Sequence, residues 1–175
     1  MIEWELSSSS DRRALDIVDG TGPHEGIGPH YSRRHPGSRT FTGVGMEIVL
    51  VHPSNAVWAV VRQRTPAPRG SGDSRGRQGV TAQTAYVWRN MMFRNLGSVR
   101  SSELIRSAVQ ATVLRWVERY GELPEEDLRT EIDTSVVRTE IPGYCYRRAG
   151  WVTMRRVGTK LYLRCPRTQI ERIAP

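Results

Sequence analysis

The sequence predicts a single domain of the α/β (α+β) class, and three observations carry that expectation. The chain has 175 residues and a mass of 19.9 kDa, the size of one domain that buries its own core without disulfides or metal. Apolar β-branched runs of strand length, bounded by turn signals, lie on both sides of one long stretch of helical periodicity. No run of about 18 apolar residues exists to cross a bilayer.

The elements follow in chain order. Residues 1–40 are rich in Ser, Gly, Pro and His and read as a loop-rich N-terminal segment, with only "RRALDIV" (12–18) patterned as a short helix or strand. "MEIVLVH" (46–52) and "AVWAVVRQ" (56–63) read as a hairpin turning at Pro53-Ser54-Asn55. "TPAPRGSGDSRGRQG" (65–79) is a low-complexity basic stretch with nothing to pack, expected to be a mobile loop. "AYVWRNMMF" (85–93) is a third strand, and "RNLGSVRSS" leads from it into a helix over 102–120. There Leu104, Ile105, Ala108, Val109, Val113, Trp116, Val117 and Tyr120 share a face, with Ser101 or Ser102 as the expected cap and Glu103 favouring the dipole. "LRTEID" (128–133) is a short strand and "YCYRRA" (144–149) a short helix stopped by Gly150. "WVTMRRV" and "KLYLRC" form a terminal hairpin through Gly158-Thr159. The order is β-β-β-α-β-α-β-β, with no internal repeat.

Charge narrows the function classes. The net charge is +8 and the pI about 10.3, and every basic residue but Lys160 is arginine, a bias that phosphate recognition and a GC-rich genome both produce. Residues 62–115 hold ten Arg against Asp73 and Glu103, a local +8, and residues 141–175 hold seven Arg and Lys160 against Glu171, a local +7. Such polarisation predicts a basic face for a polyanion, with double-stranded DNA the first partner to consider and Arg62, Arg64, Arg69, Arg75, Arg77, Arg147 and Arg148 as candidate contacts; a merely solvated basic surface is the plainer alternative.

The N-terminal "MIEWELSSSS" lacks the basic and apolar pattern of a signal peptide, and Cys145 and Cys165 are too far apart in sequence for a C-x-x-C pair. A cytoplasmic location with free thiols is therefore expected, without membrane association. His24, His30 and His35, with Glu25, match no established metal-ligand spacing, so no metal site is expected, iron being left open. The oligomeric state is also open, a dimer being one option.

Two stretches carry a resemblance. Arg94-Asn95-Leu96-Gly97-Ser98-Val99 joins a strand to the long helix, where free backbone N–H groups and the dipole favour phosphate. Tyr146-Arg147-Arg148-Ala149-Gly150-Trp151 ends the short helix. With the order of elements, these resemble the GNAT acyltransferases, whose cofactor turn reads Gln/Arg-x-x-Gly-x-Gly/Ala and whose later motif reads Tyr-x-x-x-Gly-Phe; Val99 departs from the first pattern. Within them, His30-Tyr31-Ser32 and the motif order look like the phage-associated branch that includes the Mom DNA-modification proteins.

The resemblance implies a mixed, mostly antiparallel central sheet flanked by helices. It implies acetyl-CoA or another acyl or aminoacyl donor held by Arg94, Asn95, Gly97, Ser98, Ser101 and Ser102, and Tyr146 as general acid. It also implies transfer of a small acyl or glycine-derived group to the exocyclic amine of adenine in DNA, protecting phage DNA from restriction. The other classes kept open are an acetyl-CoA-dependent N-acetyltransferase of a small amine or protein, and a DNA-binding protein without catalysis.

The remaining site expectations rest on residue chemistry. His30, with Tyr31 and Ser32, is a base or substrate-positioning group, and Asp133, near Ser135, is a second candidate base. Trp58, Trp88 or Tyr31 are candidates to stack an extruded base, although a tryptophan in a strand is ordinarily core. Cys145 is either a covalent acyl carrier or a small buried residue.

Overall fold

The computed structural model describes residues 3–33, 35–65, 86–137 and 139–174. Its elements are β1 (Glu5–Ser7), α1 (Arg12–Asp19), a 3-10 turn (Gly22–His24), β2 (Met46–His52), β3 (Ala56–Arg64), β4 (Tyr86–Asn95), α2 (Ser101–Tyr120), β5 (Leu128–Asp133), α3 (Tyr144–Arg148), β6 (Val152–Val157), β7 (Lys160–Arg164) and α4 (Arg167–Glu171). The expected mobile loop 65–79 lies, apart from Thr65, outside the described residues, and Arg69, Arg75 and Arg77 lie there with it.

The strands form one sheet in the order β1-β2-β3-β4-β5-β7-β6. Every neighbouring pair is antiparallel except β4 and β5. This is the expected mixed, mostly antiparallel α+β domain, and a parallel pair requires the long crossover that α2 supplies.

β2 and β3 are the centre of the fold because they are buried on both faces, which is why they read as continuous apolar runs. Side chains alternate across a strand. Ile48, Leu50, Trp58 and Val60 face the main core with Leu104, Ile105, Val109, Val113 and Trp116 of α2. Val49, Val51, Val57 and Ala59 face a smaller core under Ala14, Ile17 and Val18 of α1. Trp58 is fully buried, and its Nε1–H donates to Thr112 Oγ1 at 2.9 Å, so the indole leaves no orphan donor in the core.

Of the local expectations, one left open is resolved and two are corrected. "RRALDIV" is helical: the Asp11 side chain accepts from the Ala14 N–H and Gly20, at φ 68°, ends the helix. The N-cap of α2 is Arg100, with no side-chain cap, rather than Ser101 or Ser102, which lie inside the first turn. β1 and α4 were not expected; the first is three residues whose strand character comes from pairing with β2, and the second is five residues beginning after Pro166. The short helix α3 closes with Gly150 at φ 96° after an Ala149 cap, where Trp151 N–H donates to Tyr146 O and Gly150 N–H to Arg147 O. Among the described residues, no helix is long and apolar enough to cross a membrane.

Gly97 locks the turn before α2 onto the β2–β3 hairpin, because a Cβ at this position would collide with the Ser54 carbonyl oxygen. Gly43, whose added Cβ would meet only Gln63 Oε1 at 3.6 Å, has no such restriction. Gly97→Ala should lower the unfolding free energy by about 1–3 kcal/mol in urea denaturation, whereas Gly43→Ala should leave it within about 0.5 kcal/mol of the parent.

Candidate active site

The site originates in a failure of pairing. β4 and β5 pair at Trp88–Leu128, Arg89–Arg129 and Asn90–Thr130, after which β4 runs on to Asn95 and β5 to Asp133 without a shared ladder. The strands diverge where β4 also carries a bulge: Ala59 pairs with Met92 and Val60 with Asn90, leaving Met91 as the extra residue. Two adjoining cavities occupy the gap. The first, about 330 Å³, is lined by Asn90, Phe93, Ile132, Gly143, Cys145 and Tyr146 among others. The second, about 270 Å³, is lined by Arg89, Asp133, Val136 and Lys160, and both cavities share Tyr31, Ser32, Asn90, Met91 and Glu131.

Tyr146 lies at the base of the first cavity. It is buried against Trp151, Phe93 and Trp58, and its hydroxyl donates to Asn90 Oδ1 at 2.5 Å. Burial pushes the phenol well above its ordinary range, so it keeps its proton throughout the neutral range. The orientation of Asn90 is determined by the bulge: its Nδ2 donates to Ala59 O at 2.9 Å and Met92 O at 2.8 Å, which leaves Oδ1 to face the phenol. Asn90 was not singled out in the sequence; a buried asparagine in the middle of an apolar strand was the available signal.

The segment His30-Tyr31-Ser32 borders the gap, and Arg94 anchors the chain just before it. β4 alternation turns Arg94 away from the cavities, and its guanidinium donates to Val18 O at 2.8 Å and Gly28 O at 2.7 Å. Arg94 is therefore an anchor of the N-terminal segment, which corrects the expectation that it binds the donor. Arg33 completes the anchoring: it is buried against Asp19 at 2.7 Å and donates to the carbonyls of Ser38 and Thr40.

His30 Nδ1 accepts from the Ser32 backbone N–H at 3.2 Å and lies 2.7 Å from Ser32 Oγ. The same turn recurs at His52 and Ser54, so it is a local fold of His-x-Ser and not by itself a catalytic pair. Burial, helped by Arg94, pulls the imidazole down to about 4, so His30 is neutral near pH 7 with its Nδ1 lone pair occupied. It fits positioning better than proton abstraction. Its ring packs on Tyr31 at 4.3 Å between centroids, and Tyr31 as a residue is 46% exposed. Trp58 and Trp88, the other candidates for base stacking, are fully buried, which corrects that expectation.

Asp133 accepts from the Ser135 N–H at 3.0 Å and hydroxyl at 2.6 Å, and pairs with Lys160 at 3.0 Å. These donors hold its carboxyl well below the usual carboxylate range, the wrong direction for a base. Lys160 also pairs with Glu131 at 3.0 Å, giving a Glu131–Lys160–Asp133 chain along the second cavity; Glu131 and Lys160 were not foreseen because they meet only across β5 and β7. Cys145 is a half-buried thiol on the first cavity, pushed up by burial, which works against its serving as a nucleophile.

On the side of α2 a groove of about 440 Å³ adjoins the first cavity, sharing Tyr144 and Cys145 and adding Arg100, Ser101, Ser102 and Arg148. A further groove of about 550 Å³ extends from Arg148 past Arg106, Arg147 and Arg172. No carboxylate occurs among the described residues lining either groove. Asn95 and Gly97 shape the turn rather than face a ligand: Asn95 Nδ2 donates to Val99 O at 2.7 Å and Ser101 Oγ at 3.1 Å, and its Oδ1 accepts from the Gly97 N–H at 3.0 Å. Ser98 is exposed, and Val99 packs against the core.

Of the expected DNA contacts, Arg62 is bound to Glu126 at 3.0 Å and stacks on Tyr86, away from the cavities, and Arg64 ends β3 beside it. Arg147 donates to Pro142 O while lining the outer groove, and Arg148 borders both grooves. Among the described residues no group of three or more His, Cys, Asp or Glu side chains is placed to hold a metal ion. Compared with protein-family models, curated proteins and solved structures, the chain matches none.

The low proton affinity of His30 makes folding pH-dependent with a definite sign. Its imidazole holds a proton less tightly when folded, about 4 against 6.5, so its contribution is complete above about pH 6.5 and is lost as pH falls towards 4. His52 moves in the same direction, and Asp133 titrates only at lower pH. In thermal melts across pH 7 to 4, His30→Asn, which keeps an acceptor near Nδ1, should flatten part of the acid-induced fall in Tm, leaving a residual slope from His52.

Proposed function

We propose that the chain is a GNAT-like acyltransferase of the Mom type, transferring a small acyl or glycine-derived group to the exocyclic amine of adenine in DNA. The observation that carries this reading is the placing of Tyr146, a buried phenol with a fixed hydrogen-bond partner, in a cavity opened by the diverging ends of β4 and β5. The cavity adjoins the uncapped N-terminus of α2.

The residues at that end of the cavity fit a phosphorylated acyl donor such as acetyl-CoA. Backbone N–H groups of the first α2 turn, Ser101, Ser102, Arg100 and Arg148 would hold its phosphates, and no described carboxylate lines the groove to oppose them. When bound, the donor supplies an activated acyl carbon. A new bond joins the acceptor nitrogen to that carbon as the bond to the leaving group breaks. Tyr146 Oη gives the leaving group its proton and is restored by the proton that the amine releases. Until then Asn90 Oδ1 fixes where the phenol proton lies, and the hydroxyl would turn from it towards the leaving group. The arginines of the outer grooves would meet the DNA backbone or the donor's phosphates.

A second reading is an acetyl-CoA-dependent N-acetyltransferase of a small amine or a protein. Glu131 and Asp133 beside the gap favour it, because carboxylates, here shared with Lys160, can accept from an amine.

Mass spectrometry of nucleosides from plasmid DNA should decide between them after expression of the chain in a bacterial host. A modified deoxyadenosine is expected with the parent, and a fall of about 10²- to 10⁴-fold in the initial rate of its formation with Tyr146→Phe, which keeps the ring but removes the acid. Unmodified DNA, together with acetylation of an amine by the purified protein and acetyl-CoA, would replace the first reading by the second.

A further inference from the structure

The two cavities differ in chemistry although they meet through the sheet. The first is largely apolar and holds Tyr146. The second is bordered by Arg89, Glu131, Asp133 and Lys160, with Tyr31 at the junction. We propose that the polar cavity seats an unstacked nucleobase bearing an exocyclic amine, with one face of the base on the Tyr31 ring and the amine donating to Glu131. This rests on the DNA-modifying reading above and assigns the acceptor end of the same gap.

Four observations point to this ligand. First, Tyr31 is a prepared platform: its ring packs on His30, whose turn is fixed by Ser32, and Arg94 ties Gly28, just before it, to β4, while the residue remains 46% exposed and borders both cavities. Stacking is favourable for any base, and a half-exposed ring held from behind loses little freedom on binding. Second, Glu131 lies on the shared boundary, so an amine held there faces the cavity of Tyr146. Its carboxylate is oriented by Lys160 and has capacity for further donors.

Third, Arg89 borders the polar cavity, so that a guanidinium, which only donates, stands at its wall for an acceptor such as a ring nitrogen or carbonyl. Fourth, the combination suits a heterocycle better than an aliphatic ammonium. A cation would be drawn to the carboxylates but repelled by Lys160 and Arg89, whereas a neutral aminated ring uses donors, acceptors and the aromatic face together.

The test uses the full chain and short DNA duplexes in which one position lies opposite an abasic site, so that its base leaves the stack at little expense. That position carries adenine, unsubstituted purine lacking the amine, or a second abasic site, and affinity is read by fluorescence anisotropy at fixed salt. Adenine should bind more tightly than purine, and purine more tightly than the doubly abasic duplex. Tyr31→Ala should lose about 5- to 150-fold in affinity for the adenine duplex and erase the advantage of a base over none, while Tyr31→Phe keeps it. Glu131→Gln should erase the preference for adenine over purine and retain the stacking advantage. If all three duplexes bind the parent equally, with an affinity that falls steeply in salt, the base site is overturned and the DNA reading survives. If no duplex binds, both fall.

Discussion

The parallel contact between β4 and β5 is the constraint on which the rest of this molecule depends. It joins the antiparallel block β1–β4 to the block β5–β7, and it stops at Asn90 and Thr130 while both strands continue. A sheet whose ladder ends before its strands do must either expose backbone polar groups or surround the opening with other structure. Here the opening is bordered by the 30–32 segment, by Val137, Thr139 and Ile141, and by Gly143 to Tyr146, and the cavities are the space between them.

The bulge at Met91 shows how one local irregularity is turned into an oriented polar group. Its inserted residue interrupts the β3–β4 ladder, and the Asn90 amide takes up the carbonyls of Ala59 and Met92. Once both amide hydrogens are committed there, the amide oxygen has one direction left, towards Tyr146. A buried polar network of this kind is costly unless each member is satisfied, and satisfaction fixes its geometry.

The arginine excess divides into two populations. Arg33, Arg62, Arg94 and Arg164 are engaged with carboxylates or carbonyls that hold loops and strand ends in place. Arg100, Arg106, Arg147, Arg148 and Arg172 line the outer grooves, where Arg100 has Glu103 at 3.8 Å and Arg106 and Arg147 each donate to one backbone carbonyl. Composition sees both populations as one positive charge; only the second lines the grooves.

Local order was legible in the sequence because local physics produces it. The β-branched runs at 46–52 and 56–63, the helical periodicity at 102–120 and the glycine after 144–149 each encode their element without long-range partners. Tyr146 was legible as a candidate because it lies in a short motif of a recognisable pattern. β1 was not, since three residues become a strand only by pairing with β2. Nor was the direction of Arg94, because strand alternation around a bulge decides which side it faces, nor the meeting of Glu131 with Lys160 across β5 and β7. The sequence by itself determined the elements and their order; tertiary structure decided which side chains share a cavity, because that depends on register, bulge and strand divergence between residues far apart in the chain.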